Sequence, residues 1–255
     1  VQISVNLSNN TESAGYTASA IPDGTYVWNV YCNDTATNSV WGQNRTFILD
    51  SVFPAPIRFI APTKNISSTD STPYVVWNQT SDNNFDEYSV LLSPYVNMSN
   101  PIQTISITSI TTNFTNLSNI ENDGIYFIQV QAYDLAGQYV NTTSLLNYTL
   151  DKTMPSIILN YPSNSSFLND NTSDFNVTMT EINPSSCSLL LSNISGIDLF
   201  VNVTERQIAN GTKFNLTIPT GKNMADGVYR WNIECNDTAN NRANVSSYFL
   251  NVTID

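Results

Sequence analysis

The stretch DGVYRWNIECND, residues 226–237, decides how this chain is read. Near-copies stand at 23–34 (DGTYVWNVYCND) and at 123–134 (DGIYFIQVQAYD). Side chains alternate along each copy. In the third, Tyr229, Trp231, Ile233 and Cys235 fall on one side, with Val228, Arg230, Asn232 and Glu234 on the other. In the first, Tyr26, Trp28, Val30 and Cys32 take the inner positions; in the second, Tyr126, Ile128, Val130 and Ala132 do. Period-two alternation over this length is the mark of a half-buried antiparallel strand. The Asp-Gly ahead of it supplies a turn in which glycine tolerates positive φ. The tyrosines after that turn, Tyr26, Tyr126 and Tyr229, are expected to form tyrosine corners, ring inside and hydroxyl on nearby backbone.

The copies begin at Asp23, Asp123 and Asp226, so the repeat is roughly 100 residues long, too long for a solenoid and the size of one β-sandwich. Further short segments rich in Val, Ile, Thr and Tyr read as strands: 73–77, 88–92, 102–107, 175–179, 187–191, 199–203, 214–218 and 248–252. Clusters of Asn, Asp, Ser, Gly and Pro separate them, and no long stretch carries a helical period. The fold class expected is therefore all-β, tandem immunoglobulin-like antiparallel sandwiches. Boundaries fall where a closing strand runs into proline, in FILDSVFPAPI (47–57) and YTLDKTMPSII (148–158). That gives units at 1–50, 51–151 and 152–255, joined by linkers of only a few residues, hence a semi-rigid rod.

DKTMPSIILNYPSNSS, then CSLLL, then DGVYRWNIECNDTANN resembles the tandem immunoglobulin-like repeats of archaeal and bacterial cell-surface proteins. YVVWNQTSDNNFDEYSVLLS and YDLAGQ in the middle unit are more similar to a fibronectin type III-like member of the same sandwich class. The resemblance covers nearly the whole chain. It implies a fold and an extracellular setting, but such modules serve as stalks, adhesins, surface-layer parts and spacers alike.

The first unit has only 22 residues ahead of Asp23, where the others have some seventy. It is expected to be incomplete, holding only the later strands of a sandwich. Half a sandwich leaves an apolar face and a strand edge open. Either the chain is part of a longer protein, or a neighbouring subunit supplies the missing strands, or the first domain is a smaller, diverged one. The reading taken is that residues 1–51 pair with polypeptide outside this chain.

The chain has 255 residues and a net charge of -12, yet only 12% of them are charged. Nucleic acid is excluded, because phosphate neutralisation needs clustered Lys and Arg. No apolar run approaches the ~20 residues that would insert this segment into a membrane as a helix. There is no histidine, so the commonest general base and metal ligand is missing. The acids lie scattered along turns, and no catalytic residue and no metal site is assigned; an enzyme is not expected. The surface is wetted instead by Asn, Ser and Thr. Roughly twenty Asn-x-Ser/Thr triplets occur, well above chance for this composition. Candidates for glycosylation are Asn33, Asn44, Asn65, Asn78, Asn97, Asn113, Asn141, Asn164, Asn193, Asn210 and Asn236, with Asn176, Asn215 and Asn251 besides. They are read as marks of an N-glycosylated, exported surface, the competing reading being a polar, Thr-rich β-protein without glycans.

Of the three cysteines, Cys187 and Cys235 share one unit and face inward on their strands. A disulfide between them is expected, worth about 3–4 kcal/mol for a loop of that size; the alternative is two buried thiols. Cys32 stands where Cys235 stands in its own copy but is unpaired in this chain. By the same spacing its partner falls ahead of Val1. SDNNFDEY (81–88) offers Asp82, Asn84, Asp86 and Glu87 as hard oxygen ligands, and calcium is a secondary reading there, at 167–174, and at Asp34 and Asp237. Asp34, Asp134 and Asp237 are read first as caps of the turn after the strand. Trp28, Trp77 and Trp231 read as core, while Trp41 and Tyr31 are free to join an exposed patch. The function expected is structural: an extracellular, glycosylated segment that spaces or assembles a filament, stalk or surface layer, its partners being neighbouring copies or domains. The alternatives are an adhesin that binds through loops at one sandwich end and a spacer in a larger secreted enzyme.

Overall fold

The computed structural model describes residues 21–169, 174–193, 198–205, 210–218, 224–245 and 250–254. Every regular element among them is a strand. In the first unit β1 (Gly24–Trp28) pairs antiparallel with β4 (Arg45–Leu49), and β2 (Tyr31–Asn33) with β3 (Ser39–Trp41). The second unit holds β5 (Phe59–Ala61), β6 (Ile66–Ser68), β7 (Tyr74–Trp77), β8 (Phe85–Ser93), β9 (Gln103–Ile107), β10 (Phe114–Asn116), β11 (Gly124–Asp134), β12 (Tyr139–Asn141) and β13 (Leu146–Leu150). The third holds β14 (Ser156–Tyr161), β15 (Ser166–Leu168), β16 (Asp174–Thr180), β17 (Pro184–Asn193), β18 (Asp198–Glu205), β19 (Lys213–Thr217), β20 (Gly227–Asp237), β21 (Arg242–Asn244) and β22 (Leu250–Ile254).

The second and third units have one topology. A three-stranded sheet, β10-β7-β5 or β14-β16-β19, faces a five-stranded path, β6-β13-β11-β8-β9 or β15-β22-β20-β17-β18. In both, the first stretch of chain leaves one sheet at a cis proline, Ala61-Pro62 or Tyr161-Pro162, and joins the other as a parallel strand (β6 on β13, β15 on β22). The two halves that differ in sequence flavour thus share one strand order.

The second and third units each bury a core of their own, as alternation along the strands requires. In the second, Val75 and Trp77 of one sheet meet Tyr88, Val90, Leu92, Ile128 and Val130 of the other. In the third, Phe175, Val177 and Met179 meet Cys187, Leu189, Leu191, Trp231 and Ile233. The rings of Trp77 and Tyr88 meet at 5.4 Å and 69°, those of Phe175 and Trp231 at 5.0 Å and 61°, the edge-on geometry that aromatic quadrupoles favour.

The first unit departs from the sequence reading at Trp28. It sits at an inward position of its strand, yet it is 46% exposed, and the Arg45 guanidinium lies 5.7 Å over its ring. Among the described residues the first unit is two two-stranded sheets, β1-β4 and β2-β3, none of whose residues is buried. The expectation that residues 1–51 pair with polypeptide outside this chain includes residues 1–20, which lie outside the described residues.

Candidate functional site: the joints between units

Asp50 follows β4 and Asp151 follows β13, the same place at the end of two successive units. Each is built into a network that repeats bond for bond. Oδ1 of Asp50 accepts from Val52 N–H (3.0 Å), and Oδ1 of Asp151 from Thr153 N–H (3.2 Å), which turns the linker. Oδ2 of Asp50 accepts from the Asn84 amide of the next unit (2.6 Å), and Oδ2 of Asp151 from the Asn183 amide (2.9 Å). Those asparagines are held in turn: Asn84 N–H donates to Asp82 Oδ1 (2.7 Å) and Asn183 N–H to Glu181 Oε1 (3.1 Å). Their carbonyls accept from Leu135 N–H (2.8 Å) and Thr238 N–H (2.9 Å). Finally Gln138 donates from Nε2 to the Asp50 carbonyl (3.0 Å), as Asn241 donates from Nδ2 to the Asp151 carbonyl (2.9 Å). Charge-assisted bonds to carboxylates are the stronger kind. The Asn84 amide and then the Val52 N–H hold the Asp50 carboxyl below its ordinary range, against a smaller opposing effect of desolvation.

The aspartates that open the repeated strands serve the same joints from the other side. Asp23 accepts from Ser51 Oγ (2.9 and 2.8 Å to its two oxygens), and Asp123 Oδ2 from Lys152 N–H (3.0 Å) and Thr153 Oγ1 (2.8 Å). The aspartates that close those strands cap the following turn. Oδ1 of Asp134 accepts from Ala136 and Gln138 N–H (2.8 and 2.9 Å), and Oδ1 of Asp237 from Ala239 and Asn241 N–H (2.8 and 2.9 Å). Asp34 does the same with Ala36 and Asn38 N–H (both 2.9 Å).

At the second joint this places Asp151, Glu181 and Asp237, all buried, with one carboxylate oxygen from each within 4.8 Å of the others. Among the described residues the one ion pair is Arg242–Glu234 at 3.5 Å, so no basic side chain neutralises the trio. Histidine is absent from the chain and Cys187 and Cys235 are bonded to each other, so the donors here are oxygens.

The other residues singled out in the sequence fall as follows. Tyr26, Tyr126 and Tyr229 donate to the carbonyls of Pro22, Asn122 and Ala225, four residues back in each case, at 2.6, 2.8 and 2.7 Å. Gly24 and Gly227, at φ 156°, lie beneath those rings, in a backbone region closed to other residues. Cys187 and Cys235 are disulfide-bonded between directly paired positions of β17 and β20. Cys32 is exposed and free. Tyr31 and Trp41, paired across β2 and β3, are exposed with rings 4.7 Å apart.

Asn33, Asn44, Asn65, Asn97, Asn141, Asn164, Asn210 and Asn215 are exposed, and Asn78, Asn113, Asn176, Asn193 and Asn236 half-buried. The side chain of Asn251 is outside the described residues. The Asn78 amide spends both its N–H groups on the Pro56 and Gln79 carbonyls (3.2 and 3.0 Å), and Asn113 donates to the Trp77 carbonyl (2.5 Å).

Of the SDNNFDEY oxygens only Asp82 and Asn84 belong to the joint; Glu87 accepts from Ser106 on the face of the sheet, and Asp86 is exposed. Residues 170–173, half of the stretch at 167–174, lie outside the described residues. Sequence reasoning missed Asp50, Asp151, Glu181 and Asn183. The signal was there in two alignments, ILDSV with TLDKT and DNNF with EINP, that is, the closing Asp and an acid-x-Asn ahead of the next strand.

No protein-family model matches the chain, and no curated protein matches it. Solved structures similar to it include modules and tandem repeats. The fibronectin(III)-like modules of Clostridium thermocellum CbhA share 10% identity, over 78% of this chain and 94% of that one, with a TM-score of 0.42. A tetra-tandem repeat from the extending region of a large adhesion protein shares 16%, over 91% and 57%, with a TM-score of 0.38. Domains A168-A170 of titin share 12%, over 84% and 70%, with a TM-score of 0.40. At these scores the likeness carries no argument about function.

Proposed function

We propose that the chain is a non-catalytic segment of an extracellular surface protein, in which sandwich units are set in series to space or display what lies beyond them. The observation that carries this reading is the joint network repeated at Asp50 and Asp151. A linker of a few residues, fastened on both sides by carboxylate bonds, holds successive units at a set angle, as a spacer requires. A disulfide in the third core supports an oxidising, exported setting. N-linked glycans are proposed at the exposed asparagines, where they would wet a surface poor in charge.

Small-angle X-ray scattering of the full chain tests it. The longest strands have 11 residues, or about 36 Å at ~3.3 Å per residue. Two such units in line with part of a third give a radius of gyration near ~28 Å, whereas a compact chain of this length has about 18 Å. A value near the compact figure refutes the spacer reading.

A further inference from the structure

We propose that Asn33, Asn116 and Asn141 carry N-linked sugars, and that the first sugar ring of each lies against a pair of aromatic side chains beside the asparagine. This rests on the glycosylated surface proposed above and deepens it, by naming the sites that are built to hold a glycan and what holds it.

Three short strands share one spelling. β2 is Tyr31, Cys32, Asn33; β10 is Phe114, Thr115, Asn116; β12 is Tyr139, Val140, Asn141. Each opens on an aromatic residue and closes on an asparagine. Each asparagine heads an Asn-x-Ser/Thr triplet that leaves the strand and is completed by an exposed hydroxyl residue, Thr35, Ser118 or Thr143. Alternation puts the ring and the asparagine on one face, ~6.6 Å apart by the strand rise. A second ring comes from the neighbouring strand. Trp41 stands opposite Tyr31, with ring centroids 4.7 Å apart, and Tyr133 opposite Tyr139, at 5.0 Å. Tyr74 stands opposite Asn116, diagonal to Phe114, at 6.1 Å.

These rings face water. Tyr31 is 45% exposed, Trp41 66%, Tyr74 49%, Phe114 50% and Tyr139 46%, with Tyr133 half-buried. An aromatic face carries negative potential and attracts the electropositive C–H bonds that one face of a pyranose presents. Covering it also takes apolar area out of water.

The asparagines are set to receive the bond. Among the described residues the side-chain amides of Asn33 and Asn116 hold no hydrogen bond. Asn141 accepts at Oδ1 from Gln131 Nε2 (2.9 Å), and Gln131 accepts from the Tyr133 hydroxyl (3.0 Å), so the amide is oriented and its Nδ2 is left open. Asn78 and Asn113, whose amides donate to backbone carbonyls, are the opposite case. The third unit shows the seat without its rings. β21, the counterpart of β12, ends on Asn244, which also heads a triplet, but Arg242 and Glu234 form an ion pair there (3.5 Å).

The modification joins Nδ2 to C1 of a sugar carried as a diphosphate ester. The C1–O bond breaks, the diphosphate leaves with the electron pair, and one amide proton goes to a base; nothing is oxidised or reduced.

The test uses the full chain secreted from a eukaryotic cell that glycosylates such triplets, with its glycans trimmed enzymatically to one N-acetylglucosamine each. Peptide mass mapping reads occupancy, and scanning calorimetry reads the melting of the second unit. The result expected is a sugar at Asn33, Asn116 and Asn141. Thr143→Ala deletes the Asn141 triplet but leaves the amide in place, and should lower the melting by about 5 °C. In a Tyr139→Ser background the same deletion should move it by less than about 1 °C, because the ring the sugar covered is gone. Ser118→Ala, with and without Phe114→Ser, should repeat the pattern at Asn116. In chain made without glycans in a bacterium, Thr143→Ala should be silent. An equal loss in that sugar-free chain, or an equal loss with and without Tyr139, overturns the proposal. Sugars at other asparagines and none at these three overturn it as well, while leaving the glycosylated surface standing. No sugar at any asparagine removes both.

Discussion

Tyr126 carries its hydroxyl to the carbonyl of Asn122, and by doing so ties the start of β11 to the turn that precedes it. The ring is buried, and desolvation, reinforced by the Asp123 charge, pushes its pKa up, so the neutral phenol is the folded form. Tyr126→Phe keeps the ring and removes the bond. It should cost about 1 kcal/mol, seen as a fall of about 5 °C in the melting of the second unit, with the third unit unmoved. At this scale the sequence was legible wherever chemistry and chain neighbourhood coincide. A tyrosine two residues after Asp-Gly and an aspartate ahead of a polar turn both act on atoms within four residues of themselves. Asp151, Glu181 and Asp237 were not legible as a group, because only the fold brings a linker, the residue after β16 and the end of β20 to one point. Asp237 alone reads as a cap, and it is one; its second oxygen has a place that no local pattern encodes.

β11 and β20 are the same strand in two chemistries. Tyr88 lies opposite Ala132, and Cys187 lies opposite Cys235, at the same register of the same strand pair. A large ring against a small methyl fills the space in one unit, and a covalent bond spans it in the other. The second unit therefore needs no disulfide, while the third draws on one. Reduction should cost the third unit about 3–4 kcal/mol, lowering its transition in scanning calorimetry by more than about 10 °C. The transition of the second unit should stay in place, and a common shift of both would contradict separate cores. Strands of this kind were legible because burial on one face imposes period two. The short β6 and β15 were not, since three residues that join a sheet in parallel at its edge carry no period of their own. Trp28 misled for a related reason: alternation reveals which side of a strand faces inward, not whether a second sheet is there to meet it.

At the scale of the whole molecule, the second and third units are sandwiches in series, each with its own core, and carboxylate networks repeat from one joint to the next. Tandem organisation was legible from a repeat of roughly 100 residues, the size of one sandwich; the fastening of one unit to the next was not, because it uses residues that are unremarkable one at a time. The most direct test is to stretch the full chain between its ends by single-molecule force spectroscopy. The account predicts separate unfolding events for the second and third units. The bond between Cys187 and Cys235 withholds 48 residues from extension, so the third unit's increment should be shorter by about 160–170 Å. That difference should vanish in reductant. A single cooperative event, or increments that reductant leaves unchanged, would contradict it.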